Sequence, residues 1–375
     1  HERRPRSRLD RLRRWLDKST QNAVEIARLG RLAPARSRPY ELVDKTATCR
    51  LRRYRGVEEG YAGSPLLLVP PLMLTAEIYD VAPELSAVRA LVAAGVDTWV
   101  VDFGAPEAEE GGMDRTLDDH VRGVAWAAAR ARELTGRDVH LAGYSQGGMF
   151  AYQAAALLRS EGVASLITFG SPVDIHRNVP NLASDIASRF IKFVKPMVDV
   201  PLSQIEGLPG TLSSTGFKLL TPRKEAQQLA DFVRKLHDRD ALQKREDRRR
   251  FLGGEGFVAW PAPALRRFFE EFIVHNRMMS GGFVIDGRTV TLADISCPIL
   301  YFMGNRDDFA RPPSVRAITK AAPAAQAYGV TVSAGHFGLV VGSTSLRETW
   351  PGVIEWIRWR DGRGPWRWRE TGASQ

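Results

Sequence analysis

Cysteine is nearly absent from this chain: among 375 residues there are two, Cys49 and Cys297. They stand far apart and in no paired spacing, which excludes a zinc cluster and a disulfide framework. Two isolated cysteines suit a reducing compartment, so a cytoplasmic protein is expected. Long apolar runs are missing as well. No stretch of eighteen uncharged apolar residues occurs, so no bilayer-spanning helix is expected. The basic opening, residues 1–10, leads into no apolar segment and does not read as a secretory signal. His1 in place of an initiator Met is what a trimmed chain would show. HExxH, phosphate-loop and dinucleotide-binding fingerprints are lacking, and neither metal nor cofactor is indicated. Internal repeats and low-complexity segments are also absent.

What is present is an ordinary globular composition, 44% hydrophobic and 26% charged. It excludes a disordered or collagen-like chain and is enough to bury a sizeable core. The net charge of +10 is unevenly spread. Residues 1–55 hold 17 Lys and Arg against 6 Asp and Glu, whereas the remainder holds 36 against 37. Within the basic part, Leu9, Leu12, Trp15, Leu16, Val24, Ile26 and Leu29 recur at helical spacing among arginines. Such a helix suits an anionic membrane, a lipid granule or a partner subunit, or it packs on the main body as a solvated helix. Near the other end, Trp356, Trp359, Trp366 and Trp368 interleave with five arginines, as a stacking platform or interfacial anchor would. No nucleic-acid-binding motif accompanies them, and specific nucleic-acid binding is not expected.

From about residue 64 short apolar runs alternate with helical stretches. Residues 66–69, 98–101, 139–142, 165–169, 299–302 and 328–332 read as buried strands. Helices are predicted over 82–94, 116–134 and 147–159. That alternation implies a parallel α/β sheet. It lapses between about 175 and 282, where helical patterns run without strand signals, as expected of a helical insertion over the active edge of the sheet. The resulting divisions are a basic helical appendage at 1–60, an α/β core at 61–175 and 289–360, a helical cap at 176–288 and a Trp/Arg-rich tail at 361–375. In the cap, Phe190, Ile191, Phe193, Leu265, Phe268, Phe269 and Phe272 either line an acyl tunnel or, at helical spacing, form cap core.

The strand at 139–142 runs into Gly143-Tyr144-Ser145-Gln146-Gly147-Gly148, and a helix rich in small residues follows. This is G-x-S-x-G in its strand–turn–helix context. The nucleophile sits on a strained turn with little room, so side chains two positions away on either side must be absent. The helix then offers its free N–H groups to a developing negative charge. A serine hydroxyl needs a base, and the base needs an orienting carboxylate. In chain order these should follow as acid, then histidine, after late strands. Of seven histidines only His336 lies in a glycine-flanked loop after the final strand, in Gly335-His336-Phe337-Gly338. His140 is expected to pack on its strand, His120, His237 and His275 fall in helical patterns, and His176 lies at the cap junction. For the acid, Asp308 is the first choice because Pro312 follows four residues later, the phasing of a strand-end acid before a helix. Asp307 is its near rival and Asp174, after the 165–169 strand, the third option. The oxyanion hole should combine the Gln146 N–H with one from Val69-Pro70-Pro71-Leu72-Met73; the prolines carry no N–H, which leaves Leu72 or Met73, with Leu72 preferred.

With these residues in place the chain resembles the polyhydroxyalkanoate synthases, in particular the class III catalytic subunit. The matching segments are 65–71, 101–106 with 116–121, 143–148, 276–295, 298–312 and 335–338. The resemblance implies an α/β-hydrolase fold, a mostly parallel sheet with an inserted helical cap, and an acyl-CoA thioester that acylates the nucleophile. Carried over by position, the triad falls on Ser145, His336 and Asp308. Two positions depart: the family nucleophile is Cys where this chain has Ser145, and the His that commonly follows the triad Asp is Phe309. A thiolate suits repeated thioester exchange, whereas a serine triad is usual for ester hydrolysis and single acyl transfers. On the resemblance, the expected activity is an acyltransferase acting on acyl-CoA or acyl esters. An ester or thioester hydrolase is the alternative, and an inactive lipid- or partner-binding scaffold the second. Localisation is expected to be cytoplasmic, peripheral to a membrane or polyester granule, as a homo-oligomer or with a partner subunit.

Overall fold

The computed structural model describes residues 8–29, 38–54, 63–178, 207–211 and 229–367. Its centre is an eight-stranded sheet built from β1 (Glu41–Lys45), β2 (Arg50–Tyr54), β3 (Leu66–Val69), β4 (Thr98–Asp102), β5 (Val139–Tyr144), β6 (Val163–Phe169), β7 (Ile299–Gly304) and β8 (Ala327–Val332), in the spatial order 1-2-4-3-5-6-7-8. From β4 onward every neighbouring pair is parallel, while β1 and β2 form an antiparallel edge. Successive side chains of a strand point to opposite faces, and here the apolar strand residues divide between two cores. Leu67, Val69, Trp99, Val101 and Leu141 join one, with α3 (Leu117–Thr135) and α4 (Gln146–Leu157). Leu66, Leu68, Val100, Ala142 and Tyr144 join the other, with α2 (Ala87–Ala93) and the terminal helix Trp350–Arg360. Strands sheathed on both faces explain why they read as continuous apolar runs. Helix α3 starts where the sequence supplies a capping box: Thr116 accepts from the Asp119 N–H and Asp119 returns the bond to the Thr116 N–H.

The sheet starts earlier than the sequence pattern implied. Strands β1 and β2 lie in the stretch taken for a helical appendage. Their alternation is masked by arginine: Arg-Leu-Arg-Arg-Tyr buries Leu51 and Tyr54 while its cations meet carboxylates of the main body. Arg52 reaches Asp102 at 2.6 Å and Glu77 at 2.8 Å, Arg53 makes two 2.9 Å bonds to Asp97, and Arg50 meets Glu109 at 2.7 Å. Part of the basic excess is thus neutralised inside the fold. Helix α1 (Arg8–Leu29) packs through its C-terminal half: Asn22 donates to the Leu236 carbonyl at 2.7 Å, and Glu25 pairs with Arg239. Its apolar stripe continues past this contact, leaving Leu12 and Leu16 55% and 49% exposed. The described C-terminal tryptophans pack together: Trp356 is fully buried, and the half-buried Trp359 and Trp366 lie against it and stack on each other. Trp368 lies outside the described residues.

Between β6 and β7 the described residues, 170–178, 207–211 and 229–298, lie outside the sheet. Helices α5 (Arg239–Arg250) and α6 (Ala262–Phe268) belong to this insertion. The rings of Phe268 and Phe272 pack on each other and on Trp260 and Phe283; Phe272 belongs to the core and the partly buried Phe268 packs against it. Phe190, Ile191 and Phe193 lie outside the described residues. The insertion returns to the sheet edge at residues 256–258, where Phe257 bridges Leu74, the Thr75 N–H meets the Gly256 carbonyl at 2.9 Å and the Val258 N–H meets the Met73 carbonyl at 3.0 Å.

Candidate active site

Strand β5 ends in Tyr144 and α4 begins at Gln146, so Ser145 must reverse the chain between them. It does so at φ +52°, ψ −120°, a conformation side-chain-bearing residues rarely adopt. Only a bare neighbourhood tolerates the turn. A Cβ on Gly143 would fall 2.4 Å from the Gly147 carbonyl oxygen, and one on Gly147 would fall 2.2 Å from the Val69 carbonyl oxygen. The turn is fastened from below by the Ser145 N–H, which donates to the Phe169 carbonyl at 2.9 Å.

The loop after β8 brings His336 to this hydroxyl. Its Nε2 lies 2.8 Å from Ser145 Oγ, and its Nδ1 lies 2.7 Å from Asp307 Oδ2. The other carboxylate oxygen of Asp307 accepts from the Phe309 and Ala310 N–H groups, each at 2.9 Å. Those donors fix the carboxylate and leave one oxygen for the imidazole. His336 is 7% exposed and Asp307 3%. The rings of Tyr144, at 5.0 Å, and Phe309, at 5.4 Å, box in the imidazole. A hydroxyl bonded to an imidazole whose far nitrogen is held by a buried carboxylate is the arrangement that makes serine nucleophilic.

The carboxylate in place is therefore Asp307, and Asp308, the first choice from sequence, is exposed to solvent. The Pro312 phasing located the loop but not which of two adjacent aspartates turns inward. That is decided by the turn at Gly304, to whose carbonyl the Asp307 N–H is bonded. Asp174 is also not part of the constellation: it accepts from Asn276 at 3.0 Å and from Arg177 at 2.9 Å. His176 is bonded to the Ile273 carbonyl at 2.7 Å, and His140 to Ser165 at 2.8 Å. His120 is fully buried beside Phe103 and Phe150, and burial pushes its pKa down to about 4. Burial raises the thiol pKa of both cysteines, that of Cys49 to about 11, and neither approaches the site as a substitute nucleophile.

On the oxyanion side the preferred donor is already engaged. The Leu72 N–H donates to the side-chain Oε1 of Gln146 at 3.0 Å. The reading from sequence treated Gln146 as a backbone donor alone and so missed its side chain. A second residue it missed is Gly170, at the end of β6, with φ +54°. A Cβ there would lie 3.0 Å from Asp307 Oδ2 and 3.2 Å from His336 Nδ1, so this position must be bare for acid and base to meet.

A family model described as "Alpha/beta hydrolase family" matches residues 66–345. The poly(3-hydroxyalkanoate) polymerase subunit PhaC of Allochromatium vinosum is 27% identical over 325 residues, covering 84% of this chain and 86% of that protein. The subunit of the same name from Thiocystis violacea is 24% identical over 307 residues, covering 79% and 81%. Among solved structures, a thermophilic esterase from Thermogutta terrifontis aligns with 87% of this chain and 100% of its own at 16% identity, with a TM-score of 0.46. The chain belongs to the alpha/beta hydrolase family, is homologous across most of its length to the polyhydroxyalkanoate polymerase subunits, and is an enzyme of the acyltransferase or hydrolase kind.

Proposed function

We propose that this protein is a serine acyl enzyme that takes a fatty or 3-hydroxyacyl group from a thioester or ester and passes it to a hydroxyl acceptor. The observation that carries the reading is His336, hydrogen-bonded at once to Ser145 Oγ and to Asp307. Ser145 Oγ attacks the acyl carbonyl carbon while His336 Nε2 takes its proton. The carbonyl oxygen becomes an oxyanion beside the start of α4. When that intermediate collapses, the carbon–sulfur or carbon–oxygen bond breaks, His336 returns the proton to the departing group, and an ester on Ser145 remains. An acceptor hydroxyl, deprotonated by His336, then attacks this ester and frees the serine. Asp307 keeps the imidazole in the tautomer that presents a bare Nε2 to the hydroxyl. The PhaC relatives support transfer as the leading outcome.

One feature favours hydrolysis as a second reading. A serine ester turned over by water is the usual fate of this triad, and the serine stands where the synthase family has cysteine. The two outcomes differ only in whether water is excluded from the acyl enzyme. The exposed apolar and basic face of α1 supports a protein working at a membrane or polyester surface.

The deciding experiment follows an acyl-CoA series with and without a hydroxylated acceptor, by product analysis and intact-protein mass spectrometry. An acyl adduct on the wild type that is missing in Ser145→Ala supports the acyl enzyme. Acceptor-dependent product identifies the transferase and free acid the hydrolase. No adduct and no turnover with any chain length overturns both.

A further inference from the structure

Gln146 is only 4% exposed and is the first residue of α4, so its backbone N–H is one of the donors a helix start leaves unpaired; none of the described residues accepts it. Its side chain makes a second, separate contact. Oε1 accepts the Leu72 N–H at 3.0 Å across 74 positions of sequence, and Nε2 is buried without a partner. The orientation of the carboxamide follows from chemistry, since the Leu72 N–H requires an acceptor and only the oxygen can serve. Beside it the loop is pressed against the helix start: Gly147 sits so close to the Val69 and Pro70 carbonyl oxygens that a Cβ would be 2.2 and 2.7 Å from them. Within residues 70–73 two positions are proline, and the Leu72 N–H is occupied. The Met73 N–H alone has no acceptor among the described residues.

We propose that the Gln146 side chain is a positioning residue for the oxyanion loop: by binding the Leu72 N–H it withdraws that group from the reaction and leaves the Met73 N–H, together with the Gln146 backbone N–H, to meet the developing oxyanion. This rests on the acyl-enzyme reading above. One residue thus serves twice, its main chain as a donor and its side chain as the clamp that presents the other donor. A donor held before the charge develops has no reorganisation left to do, which is the source of its effect on rate.

The test replaces single backbone amides by esters, introducing α-hydroxy acid analogues of leucine at 72 or methionine at 73 into the full chain. It is combined with Gln146→Met, which keeps length and apolar volume but lacks the acceptor. Two readouts are used: kcat and KM on an activated ester, and the rate at which a fluorophosphonate labels Ser145, since the phosphonyl oxygen occupies the same place as the oxyanion. The ester at 73 is expected to lower kcat and the labelling rate roughly 10²- to 10³-fold, the effect of losing one oxyanion donor, with little change in KM. The ester at 72 and Gln146→Met should each lower them about tenfold, and combining the two should add nothing, because they remove one hydrogen bond. Far-UV circular dichroism and the thermal midpoint report whether each variant is folded. The proposal is overturned if the ester at 72 carries the 10²- to 10³-fold loss and the ester at 73 is near wild type, or if Gln146→Met and the ester at 72 combine additively. Failure of the wild type to label would instead overturn the acyl-enzyme reading.

Discussion

The two loops that meet at His336 are built on opposite plans. The nucleophile turn after β5 is local: a reversal at Ser145, glycines at 143 and 147 that keep it clear, and a helix that starts at once. Six consecutive residues spell it, and its close contacts outside them include the Val69 and Phe169 carbonyls of the adjoining strands. The acid loop after β7 is assembled from afar. Asp307 is oriented by the Phe309 and Ala310 amides, received by a histidine 29 positions later, and admitted because Gly170, just past the end of β6, has no side chain. A local plan shows in sequence and a dispersed one does not.

Substitution at the two loops gives the sharpest contrast. Ser145→Ala should lower kcat/KM about 10⁶-fold on an activated ester, and Asp307→Asn about 10⁴-fold, following the pattern of serine triads. Asp308→Asn should stay within about twofold of wild type. Loss of activity in Asp308→Asn with Asp307→Asn intact would reverse the assignment of the acid.

Support beneath the nucleophile side can be probed through acidity. His120 on α3 bonds the Thr116 carbonyl through Nδ1 and rests against Phe150 of α4. Burial lowers its pKa from 6.5 to about 4, so the unfolded chain takes up the proton first as pH falls. The stability associated with the neutral ring is therefore complete above pH 6.5 and is lost as pH drops toward 4. The loss is about 3 kcal/mol over that window. Urea unfolding at pH 7 and pH 4 should show the wild type losing that much more than His120→Phe; equal losses would mean the ring is not held neutral.

On the acid side, Gly170→Ala forces a methyl against Asp307 and His336 at a positive φ and should destabilise by about 2–3 kcal/mol, with a lower kcat. The control is Gly136→Ala, at φ +67° with nothing within 4 Å of the new atom, which should lose only about 1 kcal/mol and no activity. Similar urea midpoints for the two variants would show that crowding at the acid is not what requires Gly170. The smallest effect is expected at the cysteines, 2% and 6% exposed. Iodoacetamide at pH 8 should neither modify the native protein nor change its rate, whereas rapid inactivation would point to a thiol in the chemistry.

The same division explains which parts of the molecule could be read in advance. The parallel strands β3 to β7 were visible because both of their faces are buried, β8 despite an exposed Thr331 and half-buried Ala327 and Tyr328, and Ser145 and His336 because each lies in a glycine-framed loop after a strand. Arginine disguised β2, since burial there depends on Asp97, Asp102 and Glu77 contributed from elsewhere. Neither Asp307 over Asp308 nor the engagement of the Leu72 N–H could be read from spelling. Each turns on a hydrogen bond whose partner is remote in sequence or reached by a side chain rather than the main chain.

The short strip at residues 256–258 has a further consequence. It is stitched to residues 73–75 by two main-chain hydrogen bonds and a bridge. Just before it, Gly254 adopts φ +143°, a backbone setting that suits glycine. Raising that strip would break the same bonds that hold residues 73–75 in place. Residues 73–75 are thus steadied by a segment more than 180 positions away, so a displacement of one is felt by the other.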